Sequence, residues 1–394
     1  MKVLHLVKTV DGAGWALRQI RELVRCGVDV VVALPSATAG LAPRYASVGA
    51  EVVAADLDFS LRHPVRLMGA ARRCRALVRS VRPDVIHSHF VSTTLTARLA
   101  LGRGHPVPRV FQVPGPLHLE NAAFRRVELA TAGPADYWIA SCRWTQAEYL
   151  RRGVAARRVF LSYYGTDLEP FRRARPGVLR SWEGPTFRAP LVGMVAYMYA
   201  PKRLLRQQRG LKGHEDFIEA LRRLGGIRPA ARGIVVGGAW HGAARYEQSL
   251  RALARSRCGG GITFTGLRCD VPAIYADLDV AVHPSLSENC GGAVESLAAA
   301  CPTIATAVGG LPDVVIHGET GWLVPPADPG RLAAAIVEAI DDPTEARRRA
   351  RNGQELVSRL FAVERTGREI ADIYERVLGG DSSLTEGVRR CTTG

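Results

Sequence analysis

Residues 279–306 read DVAVHPSLSENCGGAVESLAAACPTIAT. An apolar strand pattern ends near His283 and passes into a Ser/Glu/Asn loop. The chain then turns at Gly291 and Gly292 into the helical pattern AVESLAAA, and a second strand pattern, PTIAT, follows. Strand, helix and strand in so short a span predict a right-handed crossover between parallel strands. Small residues at a strand-to-helix turn let a ligand come close to backbone N–H groups. The helix N-terminus carries about half a positive charge, which suits a phosphate or an electron-rich sugar hydroxyl.

The same alternation extends outward. KVLHLV, VDVVVALP, AEVVAADL, PDVIHSH, RVFQVPG and DYWIASC read as strands of a first series, and PLVGMVAY, RGIVVGGA and ITFTG lead into DVAVHPS in a second. Between strands, Leu67, Ala71, Cys74, Val78 and Val81 form one helical stripe with arginines on the other faces, the pattern of a membrane-surface helix or of a helix that covers a sheet, and the strand PDVIHSH directly after it favours the covering role. The predicted class is α/β, with two Rossmann-like domains and a cleft between them. Ligands of such sheets bind beyond the carboxyl ends of the strands. The Pro-, Gly- and charge-rich stretch after residue 166 reads as an interdomain linker. The expected boundaries are 1–175 for the first domain, 176–188 for the linker and 189–380 for the second domain. The polar tail 381–394 is expected to be disordered.

Composition limits the alternatives. Of 394 residues, 47% are hydrophobic and 23% charged, an ordinary globular balance. No apolar run reaches the roughly 18 residues of a membrane-spanning helix, and the N-terminus reads as a buried strand, not a signal peptide. The net charge is +16, and only Lys2, Lys8, Lys202 and Lys212 among the basic residues are lysines. An anionic partner is one reading of that charge and solvated helix faces another; no zinc-finger or RNA-binding signature accompanies it. The eight cysteines form no C-x-x-C pair and read as reduced thiols of a cytosolic protein.

Several residues stand out individually. Glu295 falls in the first turn of the AVESLAAA helix, where a carboxylate is either a dipole partner or an acceptor for two vicinal hydroxyls such as those of a ribose. Glu288 lies in the loop at the mouth of the same cleft. Gly12 and Gly14 follow the first strand and form either an ordinary turn or a ligand loop. His87 and His89 share one face of a strand, a conceivable metal pair without a third ligand at a convincing spacing. His118 follows another strand end.

The pattern HPS…SEN.GG..ESLA…PTIAT.VGGLPDVV..G.TGWLVPP.D over residues 283–328 resembles the donor-site signature of the retaining nucleotide-sugar glycosyltransferases of family 4, which have the GT-B architecture. ADYWIASC, RRGVAARRVFLSYYGTDLEPF and ITFTGLRCDVPAIYADLDVAVHPS extend the likeness along the chain. The resemblance implies that Glu295 binds the ribose of the donor and that Glu288 contacts the transferred sugar. It implies that the backbone around Asn289, Cys290, Gly291 and Gly292 holds sugar hydroxyls and phosphate. It makes Lys212, in GLKGHEDFIEAL, the diphosphate cation, and it brings Gly12 and Gly14 near the donor sugar. Pro114 stands where family members carry a histidine, so His118 is the candidate in its place. Six residues, Asn289 to Val294, separate the two glutamates where the family has seven. The family's arginine before the lysine is missing: Met194 or Tyr197 stands there, with Arg203, Arg206 and Arg209 as replacements in an inserted segment.

The implied reaction moves a sugar from a UDP- or GDP-linked donor to an acceptor hydroxyl with retention of configuration. It needs no cofactor, no metal and no protein nucleophile, and it places the enzyme in the cytoplasm, with peripheral contact to the inner face of the membrane as an option. The acceptor is a polysaccharide or lipid-linked precursor or a small metabolite. The alternatives are a nucleotide-sugar epimerase of the same architecture and a non-enzymatic basic protein that binds polyanions or membrane.

Overall fold

The computed structural model describes residues 1–59, 65–112, 115–183, 189–201 and 207–379. Pro114, Arg203, Arg206 and the tail 381–394 lie outside the described residues. Two parallel sheets are present. The first contains β1 (Lys2–Leu6), β2 (Asp29–Leu34), β3 (Glu51–Ala54), β4 (Val85–Ser88), β5 (Arg109–Gln112), β6 (Asp136–Ala140) and β7 (Val159–Leu161), in the order β3-β2-β1-β4-β5-β6-β7. The second contains β8 (Leu191–Val195), β9 (Arg232–Val236), β10 (Ile262–Gly266), β11 (Val280–His283), β12 (Thr303–Thr306) and β13 (Trp322–Val324), in the order β10-β9-β8-β11-β12-β13. These are the two Rossmann-like units expected from the sequence.

Strand period explains the two-sided cores. On one face of the first sheet Val3, Val30 and Val32 pack against Ile20 and Leu23 of the helix Gly14–Arg25. On the other face Leu4, Leu6, Val31 and Ala33 pack against Cys74, Leu77 and Val78 of the helix Val65–Val81. That helix covers the sheet, as its apolar stripe predicts. The second sheet repeats the scheme, with Val192, Met194, Val235 and Val280 under the helices His214–Gly225 and Pro329–Asp341. Each fully buried aliphatic side chain contributes roughly 2 kcal/mol. Not every arginine is solvated: Arg98 is buried between Glu128 and Asp136, and Asp136 also pairs with Arg109.

The order of strands reverses direction at β1/β4 and at β8/β11, and these two switch points set the cleft. The two passages of chain between the sheets lie side by side. The amide of Thr166 donates to the carbonyl of Phe361 at 2.8 Å. A Cβ on Gly165 would fall 2.6 Å from Val363 Cα, so the crossing requires glycine. The helix Val363–Gly379 then returns to the first sheet, where Ile370, Ile373, Tyr374 and Val377 join its core. Within the stretch expected as linker, the amides of Gly177 and Leu179 both donate to the Asp277 carboxylate at 2.6 Å, and Leu179 is buried against the second sheet. No helix among the described residues is long and apolar enough to cross a membrane.

Candidate functional site

The loop after β11 carries Glu288 and leads into the helix Gly291–Ala298. No side chain caps that helix at Cys290, and with the Ala293 amide donating to Cys290 O at 3.1 Å the Gly291 and Gly292 N–H groups are left to a ligand or to water. Glycine is required around it for space. A Cβ on Gly292 would meet the His283 ring and the Tyr275 hydroxyl, each at 3.1 Å. Gly309, at φ +52°, lies so close to the Glu288 carbonyl that a Cβ would fall 1.8 Å from it, and Gly310 N donates to that carbonyl at 3.2 Å. The 309–310 turn thereby fixes the Glu288 loop from behind.

Lys212 is brought to this loop by its own turn. Gly213 has φ +72°, and a Cβ there would fall 1.9 Å from the Pro284 carbonyl oxygen. The Leu286 amide donates to Leu211 O at 2.8 Å. With the two loops pinned together, Lys212 Nζ forms an ion pair with Glu288 Oε2. Glu288 also accepts from Ser285 Oγ at 3.3 Å and from its neighbour's amide, Asn289 N, at 3.1 Å. Burial opposes both charges, but each partner outweighs it for the other. The Lys212 ammonium titrates above its usual range and the Glu288 carboxylate below it.

Glu295, half-buried on the helix Gly291–Ala298, has no such close partner among the described residues. Burial, only partly offset by Arg18 of the first half, raises its carboxyl to about 7. Arg18 is held by its own Nε, which donates to Gly165 O at 3.1 Å. The cleft between the halves has a volume of about 1050 Å³. Lys8, Gly12, Trp15, Arg18 and Tyr164 line it from the first half, and Tyr197, Tyr199, Lys212, Trp240, Glu288, Asn289 and Glu295 from the second.

Of the residues singled out in the sequence, the fold brings Gly12, Lys212, Glu288, Asn289, Cys290, Gly291, Gly292 and Glu295 to this one cleft. Gly14 instead starts the helix that bears Arg18 and does not line it. His118 is a correction. Its ring is buried against Phe111, and its Nε2 is paired with the Tyr149 hydroxyl at 2.9 Å. Burial lowers it to about 4, so it is a neutral core residue and does not reach the cleft. Of the candidates for the expected arginine, Arg203 and Arg206 lie outside the described residues. Met194 is buried in β8, Tyr197 joins an aromatic cluster with Tyr199 and Trp240, and Arg209 pairs with Asp216. Gly12, at φ +73°, meets that cluster: a Cβ there would fall 2.6 Å from the Trp240 indole.

Arg18, Trp15, Tyr164 and Trp240 were not legible as site residues. They come from interiors of helices or from loops, and only the opposition of the two sheets gives them a common cavity. The third histidine beside His87 and His89 is His5, which stands in register with His87 on the neighbouring strand.

Known proteins share this architecture. Residues 13–170 match the family described as Glycosyltransferase Family 4, and residues 203–342 match the one described as Glycosyl transferases group 1. D-inositol 3-phosphate glycosyltransferase 2 of Catenulispora acidiphila is 30% identical over 313 residues, covering 74% of this chain and 70% of the relative. Glycogen synthase of Mycobacterium tuberculosis is 26% identical over 311 residues, covering 75% of this chain and 69% of the relative. The crystal structure of Anabaena HepE in complex with UDP and glucose superposes with a TM-score of 0.77 at 22% identity, over 94% of this chain and 98% of that one. With the two-sheet architecture, these matches make the chain a member of the family 4 glycosyltransferases, an enzyme with the GT-B fold.

Proposed function

We propose that the enzyme transfers a sugar from a nucleoside-diphosphate donor to an acceptor hydroxyl with retention of configuration. The observation that carries this reading is the convergence of Lys212, Glu288 and Glu295 at one uncapped helix end inside the interdomain cleft. Glu295 accepts from the ribose hydroxyls. Lys212 and the first-turn N–H groups face the diphosphate, and Arg18 adds positive charge from the opposite wall. As the sugar–phosphate bond breaks, negative charge grows on the leaving diphosphate, and fixed cations stabilise it without reorganising. Glu288, held in place by Lys212, Ser285 and the Asn289 amide, takes a hydroxyl of the transferred sugar. The acceptor attacks from the face the diphosphate leaves, and a phosphate oxygen of the donor takes the acceptor proton. Orientation between two halves supplies the rest of the rate enhancement.

The UDP bound by HepE supports uridine as the first base to test. The named relatives act on acceptors as different as an inositol phosphate and a glucan, so they favour no acceptor class. Nucleoside diphosphates bind the folded cleft only, so a saturating one at a hundred times its Kd stabilises by about 2.7 kcal/mol. A thermal-shift series with UDP, GDP, ADP and dTDP should give one clear rise in Tm, lost in Glu295→Ala. No rise with any of the four rejects the reading. A mass-spectrometric screen of nucleotide sugars, read as donor hydrolysis, then identifies the sugar.

A further inference from the structure

Beneath the first half's wall of the cleft lies a buried polar chain that the transfer reaction does not use. His5 on β1 stands opposite His87 on β4, and His89 follows two residues later. All three rings are fully buried. Their candidate ligand nitrogens lie within 4.8 Å of one another, a spacing a divalent metal can use. The rings, however, are stacked: His87 on His89 at 4.3 Å between centroids and His5 on His89 at 5.2 Å, tilted by only 22° and 19°. Ring lone pairs lie in the ring planes, so near-parallel rings do not converge on one ion.

All of their nitrogens except His87 Nε2 have other partners, and the proton order can be followed atom by atom. Tyr164 has one hydroxyl proton and donates it to Gln112 O at 3.0 Å. Its oxygen therefore accepts from His89 Nδ1 at 3.1 Å, which puts the His89 proton on Nδ1. The Nε2 lone pair of the neutral ring then accepts from His5 Nδ1 at 2.9 Å. His5 Nε2 in turn accepts from the Tyr374 hydroxyl at 3.4 Å, and the Tyr374 oxygen accepts from His87 Nδ1. Every link runs the same way. Burial depresses all three histidines far below their usual range, which keeps the rings neutral. A charged ring would be a double donor and would interrupt the order.

The far end of this chain reaches the site. Trp15 packs on the Tyr164 ring at 4.4 Å between centroids. The carbonyl of the next residue, Gly165, accepts from Arg18. Trp15, Arg18 and Tyr164 all line the cleft. We propose that His5, His87, His89 and Tyr374 are positioning residues, a one-way hydrogen-bond chain that fixes Tyr164 and through Gly165 sets Arg18 opposite Glu295. The proposal rests on the transferase reading only for the use made of Arg18 and Glu295.

Two measurements on the full chain test it, and neither uses a sugar donor, so failure here is distinct from failure of the transferase reading. The first is 15N-histidine NMR at pH 7.5, with single His→Gln variants for assignment. His5, His87 and His89 should all be neutral Nδ1–H tautomers, the minor form in water. An Nε2–H or charged ring at any of the three overturns the chain. The second is the 13C titration of the Glu295 carboxyl in Tyr164→Phe, Tyr374→Phe and the double variant. Each variant keeps the ring and removes one hydroxyl with the two links it makes, so each should move the midpoint upward by about half a pH unit, and the double variant by no more than either alone. An unchanged midpoint in Tyr374→Phe, or shifts that add, overturns the positioning role even if the variants lose thermal stability.

Discussion

Glu295 is the residue whose chemistry is most exposed to pH. Its carboxyl titrates at about 7 because burial disfavours the charge and Arg18 only partly restores it. A carboxylate offers acceptors to both ribose hydroxyls, whereas the protonated acid loses acceptor capacity. Nucleotide binding should therefore weaken as pH falls below 7, by up to about tenfold per pH unit. Calorimetric titration of UDP at pH 8, 7 and 6 checks this, and Glu295→Gln should flatten the profile. A wild-type affinity that is the same at pH 8 and 6 would remove Glu295 from the ribose site. The carboxylate itself was legible from the helical pattern after the glycine turn, although the helix starts at Gly291 and so places Glu295 beyond its first turn. Its pKa was not, because Arg18 stands far away in sequence and meets it only through the opposition of the two halves.

At the level of elements, periodicity carried most of the information. Two-residue alternation marked the strands, but β7 and β13 have three residues each, too short for alternation to register. Loops were harder still. His118 follows a strand end and on sequence alone can face either a cleft or a core; the short helix Leu117–Glu120 turns it inward onto Phe111 and Tyr149. That placement has a thermodynamic signature. The folded pKa of about 4 lies below the ordinary 6.5, so the unfolded chain binds the proton first, and the stability due to this ring is lost as pH falls from 6.5 toward 4. His118→Gln removes the ring's hydrogen bond and packing and also removes this titration. The variant should be less stable than wild type at pH 8, and the gap should close by about 1.4 kcal/mol per pH unit below 6.5. Urea unfolding of both proteins at pH 8, 6.5 and 5.5 measures it. A gap independent of pH would mean that the ring is not buried neutral.

For the whole molecule the decisive contacts join residues remote in sequence. The Arg143 amide and the Tyr163 hydroxyl both donate to Asp313, at 2.8 and 3.0 Å, and Ser287 Oγ donates to Glu120 at 3.0 Å. No local pattern announces such pairs, which is why two domains and a cleft were readable but the contacts across it were not. Gly12 shows what closure demands. Its φ of +73° already disfavours a side chain, by about 1 kcal/mol, and the Trp240 indole from the other half occupies the space a Cβ would need. The two crossings at Thr166 and Phe361 lie together and form the axis about which the halves would part, with Cys142 and Tyr163 packed near it in one buried cluster with Cys290 and Leu311. Gly12→Ala should therefore hold the cleft wider while leaving the second half, with Lys212, Glu288 and Glu295, unchanged. At pH 8, where the Glu295 carboxylate is largely ionised, UDP affinity should stay within about twofold of wild type while turnover falls at least tenfold, because the reacting groups no longer meet at bonding distance. Adding Trp240→Ala should recover part of the turnover by clearing the clash. Small-angle scattering of the UDP-bound variant should give a larger radius of gyration than wild type. If Gly12→Ala weakens UDP binding as much as turnover, the glycine turn holds the nucleotide itself and its contact with Trp240 is incidental to closure.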